Sequence, residues 1–469
     1  MIFRGFWNYY FFRRDAINRV STVGTRYALS LQICNVCKFH NNPRVKTVEL
    51  LAPAGSYKSL HSAINAGADA VYFGITHLNM RAGSSAQNFT LEDLKEIADI
   101  CHEKNVKTYI TLNTIVYDRE ADLMKSLINA AKENGIDAVI ASDVAVIQYC
   151  HEIGQEVHCS TQLSISNINS VKFYSQFVDR VVLARELDLK QIRYIADQIK
   201  EQDIRGPKGN LIEIEAFIHG AMCISVSGRC FMSAFEHNLS ANRGLCRQMC
   251  RRAYKITDTE TGDELKVENQ YVMSPQDLCA IDFLDKVIEA GVYSLKIEGR
   301  GRSPDYVHTV VTAYKKALDA IENKTYDEAL IEELFTDLKS VYNRGLSKGF
   351  YFGRPVGAWS RSYGSVATTR KLSLGKVTHY FPKKNVAEII IQAEKLKTGD
   401  EVYIIGTTTG TVKQKIIELR DEEGEIIENA KKGDTVTFVT NSLVRMNDEV
   451  FVIVDVEDGG ERLKDRVQG

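Results

Sequence analysis

From residue 47 onward, short β-rich runs alternate with longer stretches whose apolar positions recur at helical spacing. The runs read VELLAPAG, AVYFG, KTYITLN, AVIAS, EVHCSTQ, RVVLAR, EIEAFIHG and YSLKIEG. Between them lie segments such as LEDLKEIADICHEKN and DLMKSLINAAKENG. In the second, Leu123, Leu127, Ala130 and Ala131 fall on one helix face. Gly67, Gly135, Gly154 and Gly291 follow helical stretches, where glycine commonly ends a helix. Strands alternating with helices predict parallel β–α units. The expected class is therefore α/β, a TIM-like (β/α)8 barrel over residues 47–365, with an open doubly wound sheet as the alternative.

The seventh and eighth runs are separated by far more residues than an ordinary β–α connection holds, an insertion at about residues 220–290. In a barrel it would leave the C-terminal end of strand seven, the face on which barrel active sites lie. Helical stretches follow at SPDYVHTVVTAYKKALDAI and DEALIEELFTDLKSVYN. The texture then changes. Residues 371–457 alternate apolar and polar positions in LGKVTHYF, AEIIIQ, DEVYIIG, GTVKQKIIEL, DTVTFVT and DEVFVIVD, which predicts a small all-β barrel domain. Residues 1–46 are aromatic and arginine-rich, and Asp15 is their only acid. They read as a processed targeting segment, an upstream extension that stays unfolded, or the product of a misassigned start. The tail 458–469 is expected to be disordered.

A chain of 469 residues exceeds what one hydrophobic core usually serves, in keeping with two domains. Its net charge of −2 excludes a strongly basic protein and leaves nucleic-acid binding to a local patch. No apolar stretch is long enough to span a bilayer, so a cytoplasmic protein without membrane contact is expected. Ten cysteines are too sparse for a disulfide scaffold in so long a chain, which turns attention to metal or catalysis. Cys101 and Cys150 lie in helical patterns and read as small buried hydrophobes. Cys34 and Cys37 form a lone CxxC, too little for a site. Cys223, Cys230, Cys246 and Cys250 differ, because all fall in the insertion, in IHGAMCISVSGRCFMS and NRGLCRQMCRR. Structural zinc sites favour two tight pairs, which the first pair is not; an iron–sulfur cluster tolerates wider spacing and ranks first, zinc second, unligated cysteines third. Cys279, at the start of an apparently helical segment, is a fifth candidate.

Polar residues at the strand ends complete the constellation: Asn113, Ser160, Thr161, Gln162, Arg185, His219, Lys296, Glu298 and Arg300. Lys296 and Glu298 share a strand face, as an ion pair or an acid/base pair. Arg300 and Arg302 in GRGRSP suit an anion or an RNA phosphate, and Arg247, Arg251 and Arg252 flank the cysteines. No HExxH, GxSxG or P-loop is present.

Glu215, Phe217, Gly220, Cys223, Gly228, Cys230 and Ser233 are spaced as in the signature of the collagenase-like peptidase family, which the chain resembles. LLAPAGS, GADAVYFG, NRGLCRQMCR, SPQDLC, SLKIEGR and YNRGLSKGF resemble family blocks in the same order, from residue 48 to about 355. Members are nominal peptidases, yet the group includes proteins required for tRNA hydroxylation and for oxygen-independent ubiquinone hydroxylation. The resemblance implies a 4Fe-4S cluster on Cys223, Cys230, Cys246 and a fourth ligand, Cys250 or Cys279. The long form with a C-terminal β domain looks most like the tRNA branch. That implies tRNA as partner, with or without a paralogue or other partner protein, wobble 5-hydroxyuridine as product, and prephenate as co-substrate. His219, Lys296 and Glu298 become the candidate catalytic residues, and Arg247, Arg300, Gln162 and Asn113 the candidate substrate contacts. Two other readings stand beside this one: a true peptidase, for which no nucleophile–base pair is evident, and a non-catalytic RNA-binding or assembly factor with a structural metal.

Overall fold

A computed structural model of the chain describes residues 48–83, 88–255, 257–262, 264 and 271–456. The N-terminal extension, with its CxxC, and the C-terminal tail lie outside these residues. All eight β-rich runs form strands: β1 (Glu49–Pro53), β2 (Ala70–Phe73), β3 (Lys107–Leu112), β4 (Ala138–Ala141), β5 (Val157–Cys159), β6 (Arg180–Val182) and β7 (Glu213–Gly220), then, after the insertion, Ser294–Ile297. The insertion adds a short strand, β8 (Asp277–Cys279), so Ser294–Ile297 is β9; β10 (Leu346–Ser347) follows. β1 to β7 pair in parallel order, β7 pairs with β9, and β9 returns to β1 with Glu49 opposite Ser294, closing an eight-stranded barrel.

Helices α1 (Tyr57–Asn65), α2 (Leu94–Glu103), α3 (Ala121–Glu133), α4 (Val144–Ile153), α5 (Ile168–Tyr174) and α6 (Leu189–Glu201) follow the first six strands. α7 (Met232–His237) lies in the insertion, α8 (Leu284–Glu289) precedes β9, and α9 (Pro304–Asn323) and α10 (Glu328–Ser340) follow it. The apolar core is mostly the layer between strands and helices. Gly67, Gly135, Gly154 and Gly291 all take positive φ just past their helices. In α3 the buried face is Met124, Leu127, Ile128 and Ala131, a rotation from the expected one that leaves Leu123 exposed. β8 corrects the helical reading around Cys279. Two or three residues of strand carry no period to read, and β8 exists because it pairs antiparallel with the end of β7 and parallel with β10.

The barrel interior is polar toward its floor. Arg180 is buried between Glu49 and Glu213, and Tyr109 and Ser294 donate to Glu49 at 2.7 and 2.9 Å. The C-terminal region forms an antiparallel eight-stranded sheet, beside a two-stranded one (Leu396–Lys397 with Asn429–Ala430), whose main strands are Thr369–Phe381, Val386–Ile391, Glu401–Gly406, Gly410–Lys415, Thr435–Val439 and Glu449–Asp455. Its alternating inward residues, among them Leu374, Ile389, Val402, Val436 and Val450, make a second core. Gln414 donates to Val439 O at 2.9 Å, so the strand at one end of the ladder curls back to one near the other. The sheet docks on α1 and α9 through Ser62–Thr411 at 2.8 Å, Asn65 to Thr409 O at 3.0 Å and Thr309–Tyr403 at 3.4 Å. No helix among the described residues is long and apolar enough to cross a membrane.

Candidate active site

The C-terminal ends of the barrel strands and the insertion enclose a cavity of about 510 Å³. Of the nine strand-end residues named from the sequence, eight line it: Asn113, Ser160, Thr161, Gln162, Arg185, Lys296, Glu298 and Arg300. The ninth, His219, does not. A bulge between Phe217 and His219 puts an extra residue into β7 opposite β9. Glu215 and Lys296, paired at 2.6 Å, keep the inward face; His219 is turned outward against Tyr306 and Tyr314 of α9. There its Nδ1 lies 3.3 Å from Tyr314 Oη, and burial, with Arg302 adding to it, pushes its pKa down to about 3. His219 is a neutral packing residue, which corrects its assignment as a catalyst. Just beyond it Gly220 has φ +103°, and a Cβ there would stand 2.4 Å from Glu298 O. Only glycine lets the insertion leave β7 this close to Glu298.

Lys296 and Glu298 are not each other's partner. Lys296 is bound to Glu215 and stands over the Tyr72 and Phe217 rings, and burial lowers its pKa against the pull of Glu215. Glu298 accepts from Arg81 at 2.7 Å. Burial opposes its ionisation, but Arg81, Arg185 and Arg300 outweigh that and hold its pKa at about 2, so it is a fixed anion near neutrality. Arg81 carried no sequence signal, because it comes from the irregular segment after β2.

Seven cations line the cavity (Arg81, Arg185, Arg251, Arg300, Arg302, Arg344 and Lys296) against two carboxylates, Glu186 and Glu298. Among the described residues Arg185, Arg300 and Arg302 have no carboxylate within ion-pair distance. Arg185 donates to Ala221 O at 2.8 Å and stacks 3.6 Å over Phe217. Arg300 donates to Thr111 Oγ1 at 2.7 Å, and burial lowers its pKa to about 10. Arg302 lies 3.6 Å over the Tyr342 ring. Three guanidinium groups with no carboxylate bound directly to them suit an anionic ligand. Arg247 is exposed and outside the cavity, its backbone N–H bonded to Ser233 Oγ at 3.0 Å. Of the two arginines named as substrate contacts, Arg300 lines the cavity and Arg247 does not.

Cys223, Cys230, Cys246 and Cys250 all line the same cavity. Three of the sulfurs accept a backbone N–H from two residues on: Ser225 to Cys223 at 3.5 Å, Met232 to Cys230 at 3.4 Å and Gln248 to Cys246 at 3.4 Å. Burial raises the pKa of Cys250, opposed by Arg251, whose guanidinium also donates to Ser274 Oγ at 2.9 Å and to Met222 O, fastening the insertion. Cys279 is elsewhere, buried in β8 with Tyr314 Oη 3.8 Å from its sulfur, its pKa pushed up to about 12 by burial. No three His, Cys, Asp or Glu side chains among the described residues stand close enough to share one metal ion.

The family profile for peptidase family U32 matches residues 55–361, which hold the cysteine insertion and every barrel strand after β1. The chain belongs to peptidase family U32. Among U32 relatives, a Porphyromonas gingivalis protein named collagenase is 51% identical over 407 residues, covering 87% of this chain and 98% of that protein. The Bacillus subtilis tRNA hydroxylation protein P1 is 33% identical over 400 residues, covering 83% and 92%. An Escherichia coli 23S rRNA 5-hydroxycytidine synthase is 32% identical over 382 residues, covering 76% of this U32 chain and 56% of that protein.

Proposed function

We propose that the chain hydroxylates a pyrimidine base of RNA, most specifically C5 of the wobble uridine of tRNA, with an iron–sulfur cluster on Cys223, Cys230, Cys246 and Cys250. The observation that carries this reading is that the four insertion cysteines line the same cavity as the cationic strand ends. The donor set fits such a group. Its four thiols line one cavity, and three of them already accept an N–H···S bond of the kind that orients and tunes cluster ligands. A 4Fe-4S cluster bound there supplies redox chemistry that side chains lack, and an unactivated C5–H needs it.

The chain's own residues bind and orient. Arg185, Arg300 and Arg302 offer charge to a carboxylate co-substrate, for which prephenate, a dicarboxylate, is the proposed occupant. Gln162 Oε1 accepts from Ser160, which leaves its amide N–H groups for a base edge, and Asn113 Oδ1 is held by the Met80 N–H at 3.1 Å. Lys296, anchored by Glu215, holds a proton at Nζ facing the cavity. Glu298 stays ionised and fixes Arg81 at the rim. Relatives named for hydroxylation of tRNA and of rRNA favour an RNA substrate.

The test is nucleoside mass spectrometry of tRNA from cells whose only copy carries Cys223→Ala, beside the visible spectrum of the purified variant. Loss of 5-hydroxyuridine and of cluster absorbance together is expected; normal 5-hydroxyuridine in that strain would sink the reading. Peptidase action is the second reading, favoured by the relative named collagenase. Among the described residues the cavity lining contains no histidine and no aspartate to pair with a serine or cysteine nucleophile. Collagen cleavage that survives Cys223→Ala is the result that would establish it.

A further inference from the structure

We propose that the outer rim of the insertion is a stacking platform for unpaired RNA bases, built from Phe231 and Phe235 and served by Arg229 and Arg247. The proposal rests on the RNA reading above and deepens it, because it names the surface that would hold the loop around the reacting base.

Phe231, the residue just before α7, is 66% exposed and Phe235, on α7, is 86% exposed, with ring centroids 6.4 Å apart and tilted at 60°. Two large aromatic rings left in water forfeit the burial that normally places phenylalanine inside, and such a patch marks a contact surface. Its position is specific. Cys230, directly before Phe231, lines the cavity, and its N–H donates to Asn242 Oδ1 at 3.3 Å. Asn242 O in turn accepts the Ile115 N–H at 3.4 Å, so the segment bearing the rings is tied to the loop after β3. On that loop Tyr117 is half-exposed, with the Arg243 guanidinium 4.6 Å over its ring. The segment that bears the two rings is thus fastened both to the cavity wall and to this loop.

Charge decides between partners. Residues 221–253 hold five arginines and a single carboxylate, Glu236. Arg243 is taken by Glu120 and Arg251 points inward, whereas Arg229, Arg247 and Arg252 are exposed with no carboxylate at ion-pair distance among the described residues. Arginines with aromatic rings between them match a strand whose phosphates meet the cations and whose splayed bases meet the rings. A protein partner of ordinary composition matches that charge poorly, and a duplex offers no free base face.

The experiment titrates the full chain with a hairpin RNA carrying 2-aminopurine in its unpaired loop, and with a duplex of equal length, at fixed salt. The wild type is expected to bind the hairpin more tightly and to quench the 2-aminopurine by stacking. Phe231→Ala with Phe235→Ala should weaken hairpin binding by roughly 5- to 150-fold per stacked base and abolish the quench. Phe235→Trp, on a site this exposed, should keep both. Arg229→Gln with Arg247→Gln should weaken hairpin and duplex alike and lower the salt slope by about 2. Wild-type affinity and quench in the double phenylalanine variant would overturn the platform alone. A wild type that binds no RNA would overturn the RNA reading of the whole site. Unchanged RNA binding with a shifted elution position on sizing would make the patch a protein interface and also overturn it.

Discussion

Lys296 stands inside the barrel with its ammonium 2.6 Å from Glu215, both side chains nearly inaccessible. Glu215 also faces Arg180 at 3.6 Å, so the cavity's lysine is joined through one carboxylate to the charged floor of the barrel. Removing one member of a buried pair strands the other, at a cost of about 3–5 kcal/mol, whereas replacing both by apolar groups costs far less. Glu215→Leu and Lys296→Met are therefore each expected to lower stability by about 3–5 kcal/mol, and the two together by clearly less than their sum. Urea unfolding of the single and double variants checks this; strict additivity would show that the two charges do not support each other. The sequence made Lys296 legible as a cavity residue, because alternation and the strand end point it inward. It gave the wrong partner. Glu298 lies two residues away in the chain, but the closer carboxylate belongs to the neighbouring strand, and only closure of the barrel brings it there.

At the scale of elements, the bulge in β7 separates what was readable from what was not. Alternation alone puts Glu215, Phe217 and His219 on one face, and the extra residue reverses the last of them. His219 is thereby buried neutral against α9. His308, on α9 itself, is likewise neutral, its pKa held at about 4 by burial and then by Lys413. Both folded values lie below the ordinary histidine value near 6.5, so the unfolded chain takes up protons first as pH falls. The stability these two neutral rings provide is complete above pH 6.5 and is lost progressively toward pH 4 and then 3. At about 1.4 kcal/mol per unit, the pair accounts for about 5 kcal/mol between pH 7 and 4.5. Urea midpoints across that range should fall, and His219→Gln should make the acid limb shallower by about one proton. An unchanged slope would show that His219 is already protonated in the folded protein. The eight barrel strands were visible because each is a run of several residues with a consistent pattern. β8 and the irregular segment carrying Arg81 were not, because their places are set by contacts with distant chain.

For the whole molecule, the C-terminal sheet is held to the barrel by close approach as well as by hydrogen bonds. Gly410 has φ +71°, and a Cβ there would lie 2.8 Å from the His61 carbonyl carbon and the Ser62 nitrogen. Gly410→Ala should cost about 1–3 kcal/mol, leave both cores intact and open the junction, lowering the thermal midpoint and exposing residues 361–368 to protease. A variant as resistant as the wild type would show that the sheet tolerates displacement. The all-β texture of residues 371–457 was plain in the sequence, but its seat on the barrel was not, since Ser62 and Thr411 are 349 residues apart and neither is a hydrophobic signal. That separation has a consequence during synthesis. At about 5–20 residues per second, the face of α1 waits roughly 20–70 s after leaving the ribosome before its cover is made. Serine, asparagine and lysine line that face, and their partners are threonines and Glu449, so water can take each place in the interval. An apolar seat would have to stay dry for all that time or find another nascent chain to stick to.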